Sequence, residues 1–85
     1  MLDEIIVTLQ TENGISCDWA LPGTVTLGEL YPRLLAALQQ YKPGYFADWN
    51  GICLETEEGA LTDMAATLLD YGVCSGYYLT AVQEA

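Results

Sequence analysis

The sequence predicts an α+β fold, in which one main helix packs across one face of a mixed sheet of four or five strands. Residues 25–40 form the only convincing amphipathic helix of the chain. Residues 4–11 and 15–21 alternate between apolar and polar side chains as two strands do, and residues 77–83 alternate in the same way. A helix with a single apolar stripe needs a second layer to bury that stripe, and the strands supply it.

The composition predicts one small domain over residues 1–85. Hydrophobic residues make up 52% of the chain and charged residues 16%, which argues against disorder. The chain has no run of about eighteen apolar residues that would span a membrane. Its first residues, Met-Leu-Asp-Glu, lack the basic start of a signal peptide. We therefore expect a cytoplasmic protein with no direct membrane insertion.

The charge of the chain is strongly one-sided. Twelve acidic residues face only Arg33 and Lys42, which gives a formal net charge of −10. Such a surface repels phosphate backbones and anionic lipids, so we expect no nucleic acid partner. Two interpretations remain open: the charge keeps the protein soluble, or it attracts a partner with a basic surface.

The residue types leave little room for catalysis. The chain has no histidine and no Cys-x-x-Cys pair, which removes the usual zinc sites and the nucleophile pairs that depend on histidine. Cys17, Cys53 and Cys74 are interpreted as small buried hydrophobic residues, with a reactive thiol as the alternative. We expect a protein that is not an enzyme and that binds no cofactor or metal.

The predicted helix has a marked start and a marked end. Thr26 and Glu29 have the spacing of a capping box, in which each side chain accepts a hydrogen bond from the other residue's backbone N–H. Pro43, followed by Gly44, is expected to end the helix. Pro32 lies inside it and is expected to remove one hydrogen bond and to favour a kink. The apolar stripe consists of Leu27, Leu30, Tyr31, Leu34, Leu35 and Leu38.

The first two strands are predicted to form a hairpin. Asn13-Gly14 between two apolar runs is typical of a type I′ turn, because both residues tolerate a positive φ. Alternation divides each strand between two faces. The inward residues are Ile5, Val7, Leu9, Ile15, Cys17, Trp19 and Leu21, and the outward residues are Ile6, Thr8, Gln10, Ser16, Asp18 and Ala20.

The second half of the chain predicts shorter elements. Residues 45–51 are interpreted as a loop, residues 52–56 as a strand and residues 57–59 as an acidic turn, with a very short strand at residues 60–61. The pair Thr62-Asp63 is expected to cap a short helical turn over residues 64–66, and residues 68–73 are expected to turn tightly before the last strand. In the last strand Leu79 and Ala81 share the inner face. Pairing the first and last strands in parallel at the centre of the sheet gives a β-grasp arrangement.

The chain resembles ubiquitin over nearly its whole length. The stretch Thr-Leu-Leu-Asp-Tyr-Gly-Val at residues 67–73 is similar to the segment that precedes the last strand in that family. Residues 68–79 also resemble a pattern of the YukD/EsaB group, with Tyr77 where that group has aspartate. The resemblance implies a bacterial ubiquitin-like protein associated with type VII (ESX/Yuk) secretion. It also implies a protein partner, possibly a component of the secretion system.

The last residues bear on conjugation. Modifiers and sulfur carriers of this fold end in Gly-Gly on a free tail, whereas residues 82–85 read Val-Gln-Glu-Ala. We therefore expect a non-catalytic protein-protein interaction module that is not conjugated. The alternative is a ubiquitin-like modifier or sulfur carrier with an atypical or processed C-terminus. A third possibility is a domain of a larger membrane protein.

The sheet face opposite the helix is the predicted protein-binding face. Clustered exposed apolar side chains mark an interaction surface, although the same residues could merely support the sheet as cross-strand neighbours. The residues assigned to this face are Ile6, Thr8, Cys53, Tyr78, Thr80 and Val82.

Two further groups of residues have alternative interpretations. Trp19 is expected in the core, and Tyr45 and Trp49 are expected to pack at its edge rather than to serve as exposed anchors. Glu55 and the Glu57-Glu58 pair could suggest acid–base chemistry or a metal site. Their spacing matches no calcium loop, so they are interpreted as a solvated acidic edge.

Overall fold

The computed structural model describes residues 4–12 and 14–84. Five strands form one sheet in the order β2-β1-β5-β3-β4, and one long helix packs on it. The elements are β1 (Glu4–Gln10), β2 (Ser16–Pro22), α1 (Leu27–Tyr41), α2 (Pro43–Phe46), β3 (Gly51–Thr56), β4 (Gly59–Ala60), a 3-10 helix (Leu69–Tyr71) and β5 (Tyr78–Glu84). The predicted β-grasp fold is confirmed.

The first and last strands lie side by side at the centre of the sheet. β1 pairs with β5 in parallel, with Thr8 opposite Tyr78 and Gln10 opposite Thr80. β1 pairs with β2 in antiparallel register, and β5 pairs with β3 in the same way. A parallel central pair requires a crossover connection, which here consists of all the elements between β1 and β5, including α1.

The core lies between α1 and the sheet, as the periodicity predicts. All six residues of the predicted helix stripe are buried, and the inward residues of β1 and β5 face them. The buried residues of those two strands are Ile5, Val7, Leu9, Leu79 and Ala81. In β2 the predicted inward residues are less buried than those of β1. Only Leu21 is fully buried, while Cys17 and Trp19 are partly exposed.

The N-terminus of α1 is capped by backbone rather than by the predicted capping box. Thr26 occupies the N-cap position, but its side chain makes no capping hydrogen bond. Instead, the N–H of Leu27 donates to the carbonyl of Ala66 at 2.8 Å, and the N–H of Gly28 donates to the carbonyl of Met64 at 3.0 Å. The first N–H groups of a helix need outside acceptors, and a distant segment of the chain provides two of them.

A reciprocal cap of the predicted kind occurs elsewhere. The N–H of Thr67 donates to the Asp70 carboxylate at 3.0 Å, and the N–H of Asp70 donates to the Thr67 hydroxyl at 3.1 Å. This pair opens the turn of residues 68–73, which the structure forms as the 3-10 helix followed by Gly72 at φ +80°. The predicted cap at Asp63 is also present, because its carboxylate accepts from the N–H of Ala65 at 3.0 Å.

Pro32 and Pro43 occupy different positions in the helices. Helix α1 continues through Pro32 to Tyr41. Pro43 stands at the start of α2, so the predicted loop over residues 45–51 begins instead as a second short helix. Proline is favoured at the first helical position, where its missing N–H costs nothing.

The turn of the first hairpin is only partly described. Asn13 of the predicted type I′ turn lies outside the described residues. Gly14 has φ +88°, and the N–H of Thr11 donates to the carbonyl of Ile15 at 3.0 Å across the turn. Within the described ranges, no helix is long and apolar enough to cross a membrane.

Candidate functional site

The outer face is the side of the sheet that points away from α1, and the strand registers arrange it in rows. One row runs from Asp18 through Thr8 to Tyr78, and the next runs through Gln10, Thr80 and Glu55. Residues directly opposite each other in a sheet place their side chains within contact distance. The Thr8 hydroxyl donates to the Asp18 carboxylate at 2.7 Å.

Five of the six predicted face residues are at least partly exposed there. Ile6 is 49% exposed and Tyr78 63% exposed. Thr8, Thr80 and Val82 are partly exposed. The structure therefore brings Thr8, Tyr78 and Thr80 together, with Ile6 farther along β1 and Val82 farther along β5.

Cys53 is the exception and requires a correction. Alternation along β3 places it opposite Val82, but its side chain is only 7% exposed. Its sulfur lies 3.7 Å from the carbonyl oxygen of Leu54 and 3.9 Å from that of Leu61, in the segment that follows β4. Burial, together with the nearby Glu84 carboxylate, raises the pKa of the Cys53 thiol. Cys53 is a buried thiol and offers little surface to a partner.

The other two cysteines differ from the predicted buried state. Cys17 is partly exposed, and its sulfur accepts a hydrogen bond from Nε1 of Trp19 at 2.8 Å. Cys74 is exposed. All three thiols are free.

One end of the outer face is concave. A groove of about 570 Å³ opens where β1, β5 and β3 meet the turn after β3. We call it the tyrosine-glutamate groove. Its lining residues are Gln10, Glu55, Thr56, Glu57, Glu58, Tyr71, Gly76, Tyr77, Tyr78 and Thr80.

The groove combines aromatic rings with carboxylates. Tyr78 is 63% exposed, Tyr77 40% and Tyr71 36%. Glu55 lies in the sheet, and Glu57 and Glu58 lie in the turn that the Thr56 hydroxyl stabilises by accepting from the N–H of Glu58 at 3.1 Å.

The sequence interpretation missed part of this groove. Glu57 and Glu58 were expected as a solvated edge, and they border the tyrosines. Alternation placed Gln10 outward without assigning it to the binding face, and it could have placed Glu55 there too, because Glu55 lies two residues from Cys53. No local sequence pattern predicts that Tyr71 lines the groove. Tyr71 belongs to the 3-10 helix rather than to a strand, so only the folded structure places it beside β5.

Two of the large aromatic residues, Tyr45 and Trp49, pack against the core as expected, and Trp19 is less buried than predicted. Trp49 is buried, and its ring centroid lies 4.8 Å from that of Phe46. Tyr45 is half-buried with its ring 4.7 Å from Phe46, and the Gln39 side-chain amide donates to the carbonyls of Phe46 and Trp49. Trp19, predicted in the core, is half-buried and packs against its edge.

The groove presents groups that can bind a cationic side chain. Among residues 4–12 and 14–84, no group of three histidine, cysteine, aspartate or glutamate side chains is placed to hold a metal ion. The groove is acidic and is lined by three exposed tyrosine rings. Carboxylates and tyrosine rings are the groups that attract cationic side chains.

Solved structures with the same fold include domains of secretion proteins. The ubiquitin-like domain of the Mycobacterium tuberculosis type VII secretion system protein ECCD1 aligns with a TM-score of 0.77 at 21% identity, over 96% of this chain and 100% of that one. The EccD5 ubiquitin-like domain from Mycobacterium xenopi aligns with a TM-score of 0.75 at 13% identity, over 99% and 100%. A chain of the MycP5-free ESX-5 inner membrane complex aligns with a TM-score of 0.77 at 14% identity, and this chain covers 22% of it. At these identities the likeness shows the fold.

The family is shown by the sequence itself. No curated protein matches the chain. Residues 5–80 match the family described as "WXG100 protein secretion system (Wss), protein YukD", and this range runs from the second residue of β1 to the third residue of β5. The chain therefore belongs to the YukD family of ubiquitin-like proteins associated with type VII secretion.

Proposed function

We propose that this protein is a non-catalytic accessory component of a bacterial type VII secretion system, which acts in the cytoplasm by binding another protein through the outer face. The observation that carries the proposal is the match of residues 5–80 to the YukD family. The family description names a WXG100 protein secretion system, so the cellular process to test is the export of WXG100 proteins.

The structural neighbours support a partner within a secretion assembly. One of them is part of a longer chain in an inner membrane complex, of which a domain like this one forms 22%. We infer that this protein likewise contacts a component of such an assembly.

The outer face supports the choice of surface. Helix α1 covers the inner face of the sheet, and the outer face carries Ile6 and Tyr78 at 49% and 63% exposure. A large exposed apolar side chain and an exposed ring on one face of a sheet are typical of an interaction surface.

The proposal includes action without conjugation. Strand β5 is held in the sheet as far as Glu84, which pairs with Gly51, so the residues up to Glu84 do not form a free tail. Intact-mass measurement of the protein recovered from its own cells tests this part. An unmodified mass supports the proposal, and an adduct with a protein or with sulfur at the C-terminus would favour the modifier or carrier alternative.

A deletion and complementation experiment tests the function. Deletion of the gene is expected to reduce export of WXG100 proteins, and the wild-type gene is expected to restore it. Ile6→Glu, on the outer face, is expected to restore export poorly. Met64→Glu is the matched control, because Met64 is 44% exposed and lies in the segment that caps α1.

The two outcomes of this experiment are separable. Normal export in the deletion strain would contradict the secretion role. Full restoration by a folded Ile6→Glu variant would contradict the outer face as the binding surface. Thermal unfolding of both purified variants establishes that each one folds.

A further inference from the structure

We propose that the tyrosine-glutamate groove binds an arginine side chain, carried on a basic segment of the protein partner. This inference rests on the proposed function, since it names the partner chemistry of the same outer face. It specifies which part of the outer face binds, namely the groove beside β3, and which kind of side chain the groove accepts.

The exposed rings are concentrated at this groove. Seven large hydrophobic side chains are exposed among the described residues, and three of them, Tyr71, Tyr77 and Tyr78, line the groove. A fourth exposed ring, Tyr41, lies outside the groove at 50% exposure, whereas Phe46 and Trp49 are buried. Tyrosines left at 36% to 63% exposure around one concavity are suited to contact a ligand.

Carboxylates lie beside the rings from two directions. Glu55 is next to Thr80 across the strands, and Glu57 and Glu58 come from the turn after β3. Among the described residues, these three make no ion pair with Arg33 or Lys42. Three carboxylates without a counter-charge on one side of a groove favour a cation from outside.

The two basic residues of the protein lie on one side of it. Both basic residues belong to the helical layer: Arg33 is an exposed residue of α1, and Lys42 directly follows that helix. The outer face carries Asp18 and the groove glutamates. A basic segment is therefore attracted to the outer face, while nucleic acid and anionic lipid are repelled by it.

Arginine fits the groove better than lysine does. Its planar guanidinium can stack on a tyrosine ring while donating two parallel hydrogen bonds to a carboxylate, and the groove offers both groups together. Lysine presents a compact charge with no flat surface to stack. The groove is thus expected to prefer arginine among basic side chains.

Nuclear magnetic resonance titration tests the site with defined peptides. The ¹⁵N-labelled protein receives a short, otherwise uncharged peptide with a pair of arginines, and matched peptides with lysine or with neutral citrulline in their place. The arginine peptide is expected to shift the resonances of Gln10, residues 55–58, Tyr71 and residues 77–80 in a saturable way. The lysine peptide is expected to bind several-fold more weakly, and the citrulline peptide is expected to cause no comparable shifts.

Matched variants separate the groove from general acidity. The triple change of Glu55, Glu57 and Glu58 to glutamine is expected to weaken binding of the arginine peptide by about tenfold or more. The control changes Glu12, Glu29 and Asp48 to their amides, which removes the same charge from exposed positions outside the groove lining. Tyr78→Phe keeps the ring and is expected to bind normally, whereas Tyr78→Leu is expected to bind several-fold more weakly.

Each result decides for or against the site. Shifts spread over all acidic residues, equal weakening by the two triple variants, or equal binding of the arginine and citrulline peptides would overturn the inference. These outcomes leave the export experiment unaffected, because deletion of the gene tests the secretion role whatever the groove binds. Normal export in the deletion strain together with arginine binding in the groove would instead overturn the proposed function alone.

Discussion

The hydroxyl of Tyr31 donates a hydrogen bond to the carbonyl of Leu61 at 2.6 Å, which joins helix α1 to the segment that follows β4. The same hydroxyl accepts from the N–H of Leu54 in β3 at 3.2 Å. One buried side chain thus satisfies two backbone groups at the edge of the sheet, close to the point where the two-residue strand β4 ends. Buried backbone groups without a partner are costly, so this residue supports the edge that borders the tyrosine-glutamate groove.

Tyr31→Phe is expected to lower the free energy of unfolding by about 1–3 kcal/mol, because the buried N–H of Leu54 and the carbonyl of Leu61 each lose a partner. Urea denaturation at neutral pH measures the change. Tyr41→Phe is the control, since Tyr41 is 50% exposed and its loss of a hydroxyl should change stability by less than about 0.5 kcal/mol. Equal effects of the two substitutions would contradict the role of Tyr31.

Alkaline pH should reduce the contribution that Tyr31 makes to the free energy of unfolding. Burial raises its pKa above the ordinary value of 10.0. The unfolded chain therefore releases this proton first, and the folded state binds more protons than the unfolded state as pH rises above 10.0. The stabilising contribution is fully present below that pH and is lost above it. Urea denaturation at a series of pH values from about 8 to about 11.5 should show the stability difference between wild type and Tyr31→Phe shrinking, and a constant difference would count against the buried hydroxyl.

The sequence predicts regular elements better than it predicts long-range contacts. The inward positions of β1, β5 and α1 follow from periodicity, because one face of each element is buried along its whole length. The cap of α1 does not follow, since the acceptors at Met64 and Ala66 come from a segment far along the chain.

At the candidate site too, the sequence fails to predict long-range contacts, as Cys53 and the groove show. Alternation assigns Cys53 to the outer face, but the carbonyl of Leu61 and the chain after β4 bury it. Tyr71 reaches the groove from the 3-10 helix, and no spacing in the sequence relates it to β5. Ile6, Thr8, Tyr78, Thr80 and Val82 lie on the outer face as alternation predicts, because strand alternation is a local property.

The reciprocal cap at Thr67 and Asp70 should matter more than the capping-box spacing at Thr26. Asp70→Ala is expected to lower the free energy of unfolding by about 0.5–2 kcal/mol, because the N–H of Thr67 loses its acceptor. Thr26→Ala should cost less, since the Thr26 side chain makes no capping hydrogen bond. Thermal and urea denaturation compare the two variants. A larger loss for Thr26→Ala would show that the helix start is capped by its own side chains after all.

The cysteines should react in the order of their exposure. Cys74 is exposed and is expected to alkylate first at neutral pH. Cys53 should alkylate slowly, because it is buried and because burial raises the pKa of its thiol, which leaves little thiolate. Peptide mass spectrometry after timed treatment with iodoacetamide measures each site, and the same treatment in urea should remove the difference. Equal rates at Cys53 and Cys74 in the folded protein would mean that β3 is more open than the structure shows.

Photo-crosslinking in cells tests the central claim, that the outer face contacts a component of the secretion assembly. A benzophenone amino acid replaces Tyr78 on the outer face or, as the matched control, Tyr41 in the helical layer, which are 63% and 50% exposed. Irradiation of cells that contain the whole assembly, followed by mass spectrometry of the products, is expected to give an adduct with a secretion-system component from position 78 and little or none from position 41. An adduct from position 41 alone, or no adduct with any secretion component from position 78, would contradict the account.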